Sequence, residues 1–325
     1  MTCAAGSQTS LLTTTINPFG WYRWTRLPFR LKVSSEIFQR KLNEALSDLS
    51  SVICIADDLL VMGCGNTRDE AASDNEQTSK LQKWCSQRVI MLTDEKSVLE
   101  QTQVKFMGHM ITTEGVEAHQ SKVEAILSMP APTDAHGVQR FCGMIQYLSK
   151  FLPNLASDLQ PIRELTRKNM DWNWSAECEE AFIKVKKNIT EAPLLIYFNP
   201  DKELVLQVDS SKDGLGTALL PDGKPIEYAS RAPTSAEQDW AQIEKETLAV
   251  VFGLEHFDQY TYGRKVVIEN DHKPLAAILK KPLSQAPKRP QALILRLHRY
   301  DVDFHYVEGS KLFITEPFLM SLIPM

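Results

Sequence analysis

The 325-residue chain has no C-x-x-C pair, no low-complexity tract, no internal repeat and no apolar run long enough to span a membrane. Its six cysteines (Cys3, Cys54, Cys64, Cys85, Cys142, Cys178) stand singly, without histidine at ligand spacing. That excludes a disulfide framework or a zinc site and points to a reducing intracellular compartment, cytoplasm or nucleus. The N-terminus lacks a basic stretch followed by an apolar one, so no secretory signal is expected. It is rich in Ser and Thr, as transit peptides are, but arginine first appears at Arg23 and targeting is not expected. Acidic residues are missing from residues 1–35, which carry Arg23, Arg26, Arg30 and Lys32. The net charge of −5 argues against indiscriminate polyanion binding. A second basic tract, from Arg264 to Arg299, sets nine Lys/Arg against Glu269 and Asp271. Two such tracts on an acidic chain suit local contact with a polyanion, or ordinary solvated faces.

What is present is a globular composition, 43% hydrophobic and 24% charged, with length for two or three domains. Residues 34–49 place Ile37, Leu42, Leu46 and Leu49 on one helical side, with Ser34 or Ser35 as N-cap. "SVICIADDLLVMG" (51–63) reads as two buried strands joined by a tight turn. Residues 68–87 read as a helix, "VLEQTQVKFMGHMI" as strands, and Ala118 to Asn188 as mostly helical, broken at "MPAPTD", Pro153 and Pro161. "EAPLLIYFNPDKE" has the composition of a junction. After it, "LVLQVDSS", "LGTALL" and "KPIEYASR" predict three strands, Ser235–Phe257 one long helix, and "KVVIEND" and "YDVDFHYVE" two more strands. The order is that of an α/β or α+β domain.

Two sets of carboxylates carry the chemistry. Asp57 and Asp58 are adjacent like charges within an apolar run, which requires a cation, shifted pKa values or an exposed turn. In the C-terminal part, Asp209 ends the strand 204–208, and Asp271 closes the strand that follows the long helix. Glu246 lies on the apolar stripe Trp240, Ile243, Val250, Leu254 and Phe257, and so points toward the sheet. Three inward carboxylates suit two divalent cations in phosphodiester hydrolysis, and oxygen-only ligands favour Mg²⁺ or Mn²⁺. The alternative is structurally satisfied caps and turns, which the Asp residues of "VDSSKDG" and "NDHK" suit well. "VDSS" is also close to the D-[ST]-G of aspartic proteases, but Ser211 stands where glycine is required and no second copy exists.

These segments, taken in order, resemble the Pol polyprotein of gypsy-class LTR retrotransposons, over nearly the whole chain. "WYRWTRLPFRLKVSSEIFQRKL" is similar to the segment before the polymerase aspartates, "ICIADD" to the Y-x-D-D box, and "VKFMGHMI" to the primer-grip hairpin. "FCGMIQYLSKFLPNLASDLQPIRELTRK" and "WNWSAECEEAFIKVKKNITEAPLL" resemble the connecting region. "LQVDSSKDGLGTALL", "IEKETLAVVFGLEHFDQY" and "VVIENDHKPLAAIL" resemble the ribonuclease H domain. The resemblance implies an N-terminally truncated reverse-transcriptase palm (1–113), a helical thumb or connection region (114–200) and a ribonuclease H-like mixed-sheet domain (201–325). It implies metal ligation by Asp57 and Asp58 in the palm, and by Asp209, Glu246 and Asp271 in the ribonuclease H domain, with Glu316 as a fourth catalytic carboxylate. Phe29, Gln39, Met107 and Gly108 match nucleic-acid contacts of the palm. Lys273, Lys280, Lys281, Lys288 and Arg289, in the basic tract, are expected to hold a duplex backbone.

Departures from the family are specific. Ile55 replaces the Tyr of Y-x-D-D, and Arg30 replaces a glycine. The only acids before Asp57 are Glu36, Glu44 and Asp48, all on the 34–49 helix, so the upstream polymerase Asp is missing. Pro317 follows Glu316, and the basic end of the C-terminal helix is gone. The expected function is Mg²⁺- or Mn²⁺-dependent cleavage of the RNA strand of an RNA–DNA hybrid, with polymerase activity lost. The rival is an inert retroelement remnant that binds nucleic acid at most. Expected partners are a hybrid or primer–template and other Pol polyprotein domains, with no membrane.

Overall fold

The structure, a computed structural model, describes residues 13–28, 31–49, 51–63, 75–87, 92–93, 95, 97–99, 101–167, 170–275 and 288–312. The chain divides into two compact units, residues 1–102 and 103–325.

In the first unit, β1 (Thr15–Asn17) and β2 (Gly20–Tyr22) form a hairpin. Helix α1 (Ser34–Leu46) follows, then a second hairpin of β3 (Val52–Ile55) and β4 (Asp58–Val61), and helix α2 (Asn75–Gln87). The apolar spacing of α1 puts Leu42, Ala45 and Leu46 inside, and a small core gathers Leu46, Leu49, Leu81 and Cys85. The expected serine cap is absent. Ser34 is already helical, Val33 stands at the N-cap without a side-chain bond, and the Ser34 hydroxyl donates instead to the Pro28 carbonyl at 2.8 Å.

The second unit opens with an antiparallel meander of β5 (Gln103–Phe106), β6 (His109–Thr112) and β7 (Val116–Ala118). Helices α3 (Gln120–Leu127), α4 (Ala135–Gln146), α5 (Leu155–Asp158), α6 (Gln160–Glu164) and α7 (Ala176–Thr190) follow. Side-chain caps fix three of their starts: His119 on the Ser121 N–H, Asp134 on Gly137 and Ser175 on Cys178. Beyond them lies a five-stranded mixed sheet built from β8 (Leu204–Ser210), β9 (Leu215–Pro221), β10 (Glu227–Arg231), β11 (Lys265–Asn270) and β12 (Asp301–Tyr306). Its order is β10-β9-β8-β11-β12, antiparallel on the β10 side and parallel from β8 onward. The parallel pairs need crossovers. Helices α8 (Ser235–Gln238), α9 (Gln242–His256) and α10 (Asp258–Thr261) lie between β10 and β11, and α11 (Lys288–Leu297) between β11 and β12.

Alternation along the strands divides the sheet's side chains between two cores. Leu204, Leu206 and Val208 of β8 pack with Ala249, Val250 and Leu254 of α9. Ala218 and Leu220 of β9 and Tyr228 of β10 pack with α3–α7, around Phe141, Ile145, Phe151 and Val185. Each fully buried Leu, Ile or Phe contributes about 1.5–3 kcal/mol of burial free energy. The single helix expected over Ser235–Phe257 is two. Glu237 closes a capping box on Thr234, and Glu244 accepts from the Ala241 N–H at 3.1 Å, so a second helix start is encoded within the run. Cys54, Cys85, Cys142 and Cys178 are free thiols. Among the described residues no helix is long and apolar enough to cross a membrane.

Candidate metal and nucleic-acid site

β8 and β11 are adjacent parallel strands, so their carboxyl ends leave the sheet at the same edge. Glu269 pairs with Gln207, and two residues further on Asp271 comes level with Asp209. Asp209 lies at the end of β8, one residue before its last. Asp271 directly follows β11. Glu246, in the second turn of α9, faces the sheet and is only 2% exposed. Oxygens of the three carboxylates lie within 4.8 Å of one another, with Asp209 half-buried and Asp271 exposed. The sequence-predicted triad is therefore assembled by the fold.

The electrostatics are unfavourable without a counter-charge. Burial, and then the Asp271 charge, push the Asp209 carboxyl above the ordinary range, against a Ser210 backbone hydrogen bond. Burial also raises Glu246, opposed by hydrogen bonds from Ser210, Asn270 and Gln242, while the Asp209 charge adds to the rise. Gln242 Nε2 donates to Glu246 Oε1 at 2.6 Å and Asn270 Nδ2 to Glu246 Oε2 at 2.8 Å. Sequence reasoning missed both amides. The signal was there, one helical turn before Glu246 and one residue before Asp271, but an Asn or Gln at such places looks like any surface polar residue. Gly309, after β12, comes close enough that a Cβ there would meet Asp271 Oδ2 at 3.0 Å. Three oxygen-only donors converging in a partly buried, mutually repulsive cluster fit a small hard divalent cation.

The other predicted residues are placed as follows. Asp57 is in the two-residue turn between β3 and β4, and Asp58 begins β4; both are exposed. An exposed turn is thus how the chain accommodates this like-charged pair. Ala56 in that turn has φ 51°, a left-handed conformation disfavoured by about 1–2 kcal/mol outside glycine. Gln39 holds it: its Oε1 accepts from the Ala56 N–H at 2.7 Å and its Nε2 donates to the Cys54 carbonyl at 2.7 Å. Among the described residues, the group of three acids able to hold a metal is Asp209, Glu246 and Asp271, and the Asp57–Asp58 pair is not part of one.

Met107 and Gly108 form the β5–β6 turn, with φ 47° and 71°, as a primed two-residue turn requires. The Tyr147 hydroxyl donates to the Met107 carbonyl, and its ring stacks on His109 at 5.1 Å. Of the basic tract, Lys273 sits 4.7 Å over the Tyr306 ring. Arg289 is 3.8 Å from Glu244 and 5.5 Å over Trp240. Lys288 begins α11, but its side chain lies outside the described residues, as do Phe29, Lys280, Lys281 and Glu316.

A mixed five-stranded sheet with helices on both faces and three carboxylates at its strand ends and inner helix defines a ribonuclease H-like domain. Family comparison agrees: residues 174–268 match the RNase H-like domain found in reverse transcriptase, and residues 4–111 match reverse transcriptase (RNA-dependent DNA polymerase). The chain thus carries matches to both domain types, the reverse-transcriptase one first. It is 32% identical, over 90% of its length, to the retrovirus-related Pol polyprotein from transposon 412 of Drosophila melanogaster, and covers 23% of that protein. It is 31% identical to the corresponding polyprotein from transposon 297 of the same species, over 90% of this chain and 27% of that one. Identity to the Transposon Tf2-3 polyprotein of Schizosaccharomyces pombe is 26%, over 90% of this chain and 22% of that one. The chain thus spans about a quarter of the length of the curated relatives it matches. Among solved structures, the fold is similar to foamy viral protease-reverse transcriptase in complex with RNA/DNA hybrid, with TM-score 0.77 and 19% identity, covering 94% of this chain and 42% of that one. It is equally similar to the foamy viral protein in complex with double-stranded DNA, with TM-score 0.77 and 20% identity, covering 94% and 54%.

Proposed function

We propose that this chain hydrolyses the RNA strand of an RNA–DNA hybrid, with Mg²⁺ or Mn²⁺ bound at Asp209, Glu246 and Asp271. The observation that carries the reading is the convergence of three carboxylates within 4.8 Å on a ribonuclease H-like sheet. Divalent cations at such a site neutralise developing charge and lower the pKa of water for attack on a phosphodiester. Asp209 and Asp271, level with each other on neighbouring strands, would hold the cations from one side. Glu246, reaching in from α9, would share in this and orient the attacking water. Exposed Asp271 leaves the cluster open to a duplex on the solvent side. Hybrid would be recognised through backbone charge and 2′-hydroxyls rather than base edges. Lys273, two residues beyond Asp271, stands where a phosphate could be met. The domain limits we favour are 1–113, 114–200 and 201–325, with a polymerase-derived first part, and the natural partners are hybrid or primer–template and further Pol polyprotein domains.

Polymerisation by this chain is not expected, because Asp57, in an exposed turn, and Asp58, at the exposed start of β4, belong to no group of three acids able to hold a metal among the described residues. The test is cleavage of an end-labelled hybrid in Mg²⁺. Cleavage by the intact chain, lost in Asp209→Asn and Asp271→Asn, is the expected result. No cleavage, or cleavage unchanged by both substitutions, overturns the reading and leaves a binding remnant. Template-directed primer extension by the same preparation would refute the expectation for Asp57 and Asp58.

A further inference from the structure

Asn270 has no part in the hydrolysis just outlined, yet it is in contact with the support of all three carboxylates. It is 4% exposed, at the last position of β11. Its Nδ2 donates to Glu246 Oε2 at 2.8 Å and to the Val208 carbonyl at 3.3 Å, next to Asp209 in the chain. Its Oδ1 accepts from the His272 N–H at 2.7 Å, across the turn that carries Asp271. Its own carbonyl accepts from the Val307 N–H at 3.0 Å, which ties the same residue to the end of β12. Both hydrogens of the amide and its oxygen are therefore engaged, one on each element that bears a carboxylate. Gln242 completes the arrangement from α9, donating to Glu246 Oε1 while also reaching the Ser210 carbonyl at 3.0 Å and hydroxyl at 3.1 Å.

We infer that Asn270, assisted by Gln242, is a positioning residue that fixes the orientation of the Glu246 carboxylate for a divalent cation, so that cation affinity depends on its side-chain amide. The inference rests on the proposed reading of the triad. A buried carboxylate with one amide donor on each oxygen cannot rotate without breaking both bonds and exposing an unpaired buried donor. With the Ser210 hydroxyl as a third donor, three of the four in-plane lone pairs are engaged, and the one left faces the shared space with Asp209 and Asp271. Without the donors, Glu246 would be free to turn away from Asp209, whose charge repels it. Outer partners of this kind typically change metal affinity 10- to 100-fold when removed.

The test is Mn²⁺ binding to the full chain by calorimetry, without nucleic acid, beside the Mg²⁺ concentration for half-maximal hybrid cleavage. Asn270→Leu keeps the volume of the side chain and removes its donors. The expected result is Mn²⁺ affinity about 10- to 100-fold weaker, with a parallel rise in the Mg²⁺ requirement, measured at a temperature where circular dichroism shows the variant folded. Wild-type affinity in Asn270→Leu overturns the positioning role and leaves the nuclease reading standing. No Mn²⁺ binding by the wild-type chain overturns both. Should Asn270→Leu fail to fold, Gln242→Ala decides from an exposed helix position. Weaker binding there supports the role, and unchanged binding overturns it.

Discussion

Replacing Asp209 by Asn should make the metal-free protein more stable while abolishing its response to metal. Three carboxylates within 4.8 Å repel one another. At an effective dielectric constant of about 20, each fully charged pair at that separation costs about 3.5 kcal/mol. Removing one charge relieves its two repulsions, and solvent at the exposed Asp271 screens them, so the net gain in Asp209→Asn should be about 1–2 kcal/mol. For a unit the size of 103–325, that raises the melting midpoint by about 2–8 °C. The pH dependence has a definite sign. A carboxylate whose folded pKa is raised binds more protons folded than unfolded, so its stabilisation is present below the unfolded value and is lost as pH rises through the folded one. The wild-type chain should therefore lose stability relative to Asp209→Asn as pH rises above the ordinary carboxylate range, about 4. Metal reverses the ranking: Mn²⁺ at about a hundred times its dissociation constant stabilises the wild type by ~2.7 kcal/mol and the variant hardly at all. Thermal melts at pH 5 and 7, with and without Mn²⁺, measure every term. A metal-free midpoint lowered by Asp209→Asn, or full Mn²⁺ stabilisation retained in it, would refute the account of the site.

Other perturbations probe the scaffold. Glu237 is held down to about 2, chiefly by hydrogen bonds from Arg231 at 2.8 and 3.0 Å, so its contribution exists above the normal carboxylate range and disappears as pH falls toward 2; Glu237→Gln should cost ~1–3 kcal/mol at pH 7 and flatten the acid limb of the stability profile. Phe141 is fully buried against Phe182 at 4.7 Å, and Phe141→Ala should lower the urea midpoint by an amount equal to about 3–5 kcal/mol, with no change in slope. An added Cβ in Gly108→Ala meets the Tyr147 hydroxyl at a φ of +71°; a double-mutant cycle with Tyr147→Ala should show coupling of about 0.5–3 kcal/mol, and additive effects would dissociate the ring from the turn.

Much of this architecture was legible because it rests on period and punctuation. The five strands of the mixed sheet alternate or run apolar between Gly, Pro and Asp turns, and Glu246 interrupts a helical apolar stripe at a position that can only face inward. The three carboxylates could thus be selected before any distance was known. What escaped was set by which partner each polar group finds in the fold, near or far in the chain. Ser34 looked like a cap, but its hydroxyl found the Pro28 carbonyl. The break between α8 and α9 depends on Glu244 reaching back to Ala241, a local signal hidden inside a continuous helical pattern. Asn270 and Gln242 owe their importance to Glu246, 24 and four residues away, which composition and spacing do not reveal. The Asp57–Asp58 pair was legible as a charge problem, and its solution, an exposed turn stapled by Gln39 from 17 residues upstream, required the fold.

The core that joins α3–α7 to the sheet has a consequence for how the chain can be taken apart. Ala218, Leu220 and Tyr228 lean on residues contributed by the preceding helices, and Leu312, close after β12, joins them. A fragment beginning at residue 201 would carry the whole triad but present one face of its sheet bare to water, and bare apolar sheet faces associate. Proteolytic nicking near residue 200 should therefore leave two pieces that stay together through gel filtration. The helices before the junction cover the second face of the sheet, and damage to them should be felt at carboxylates they never touch.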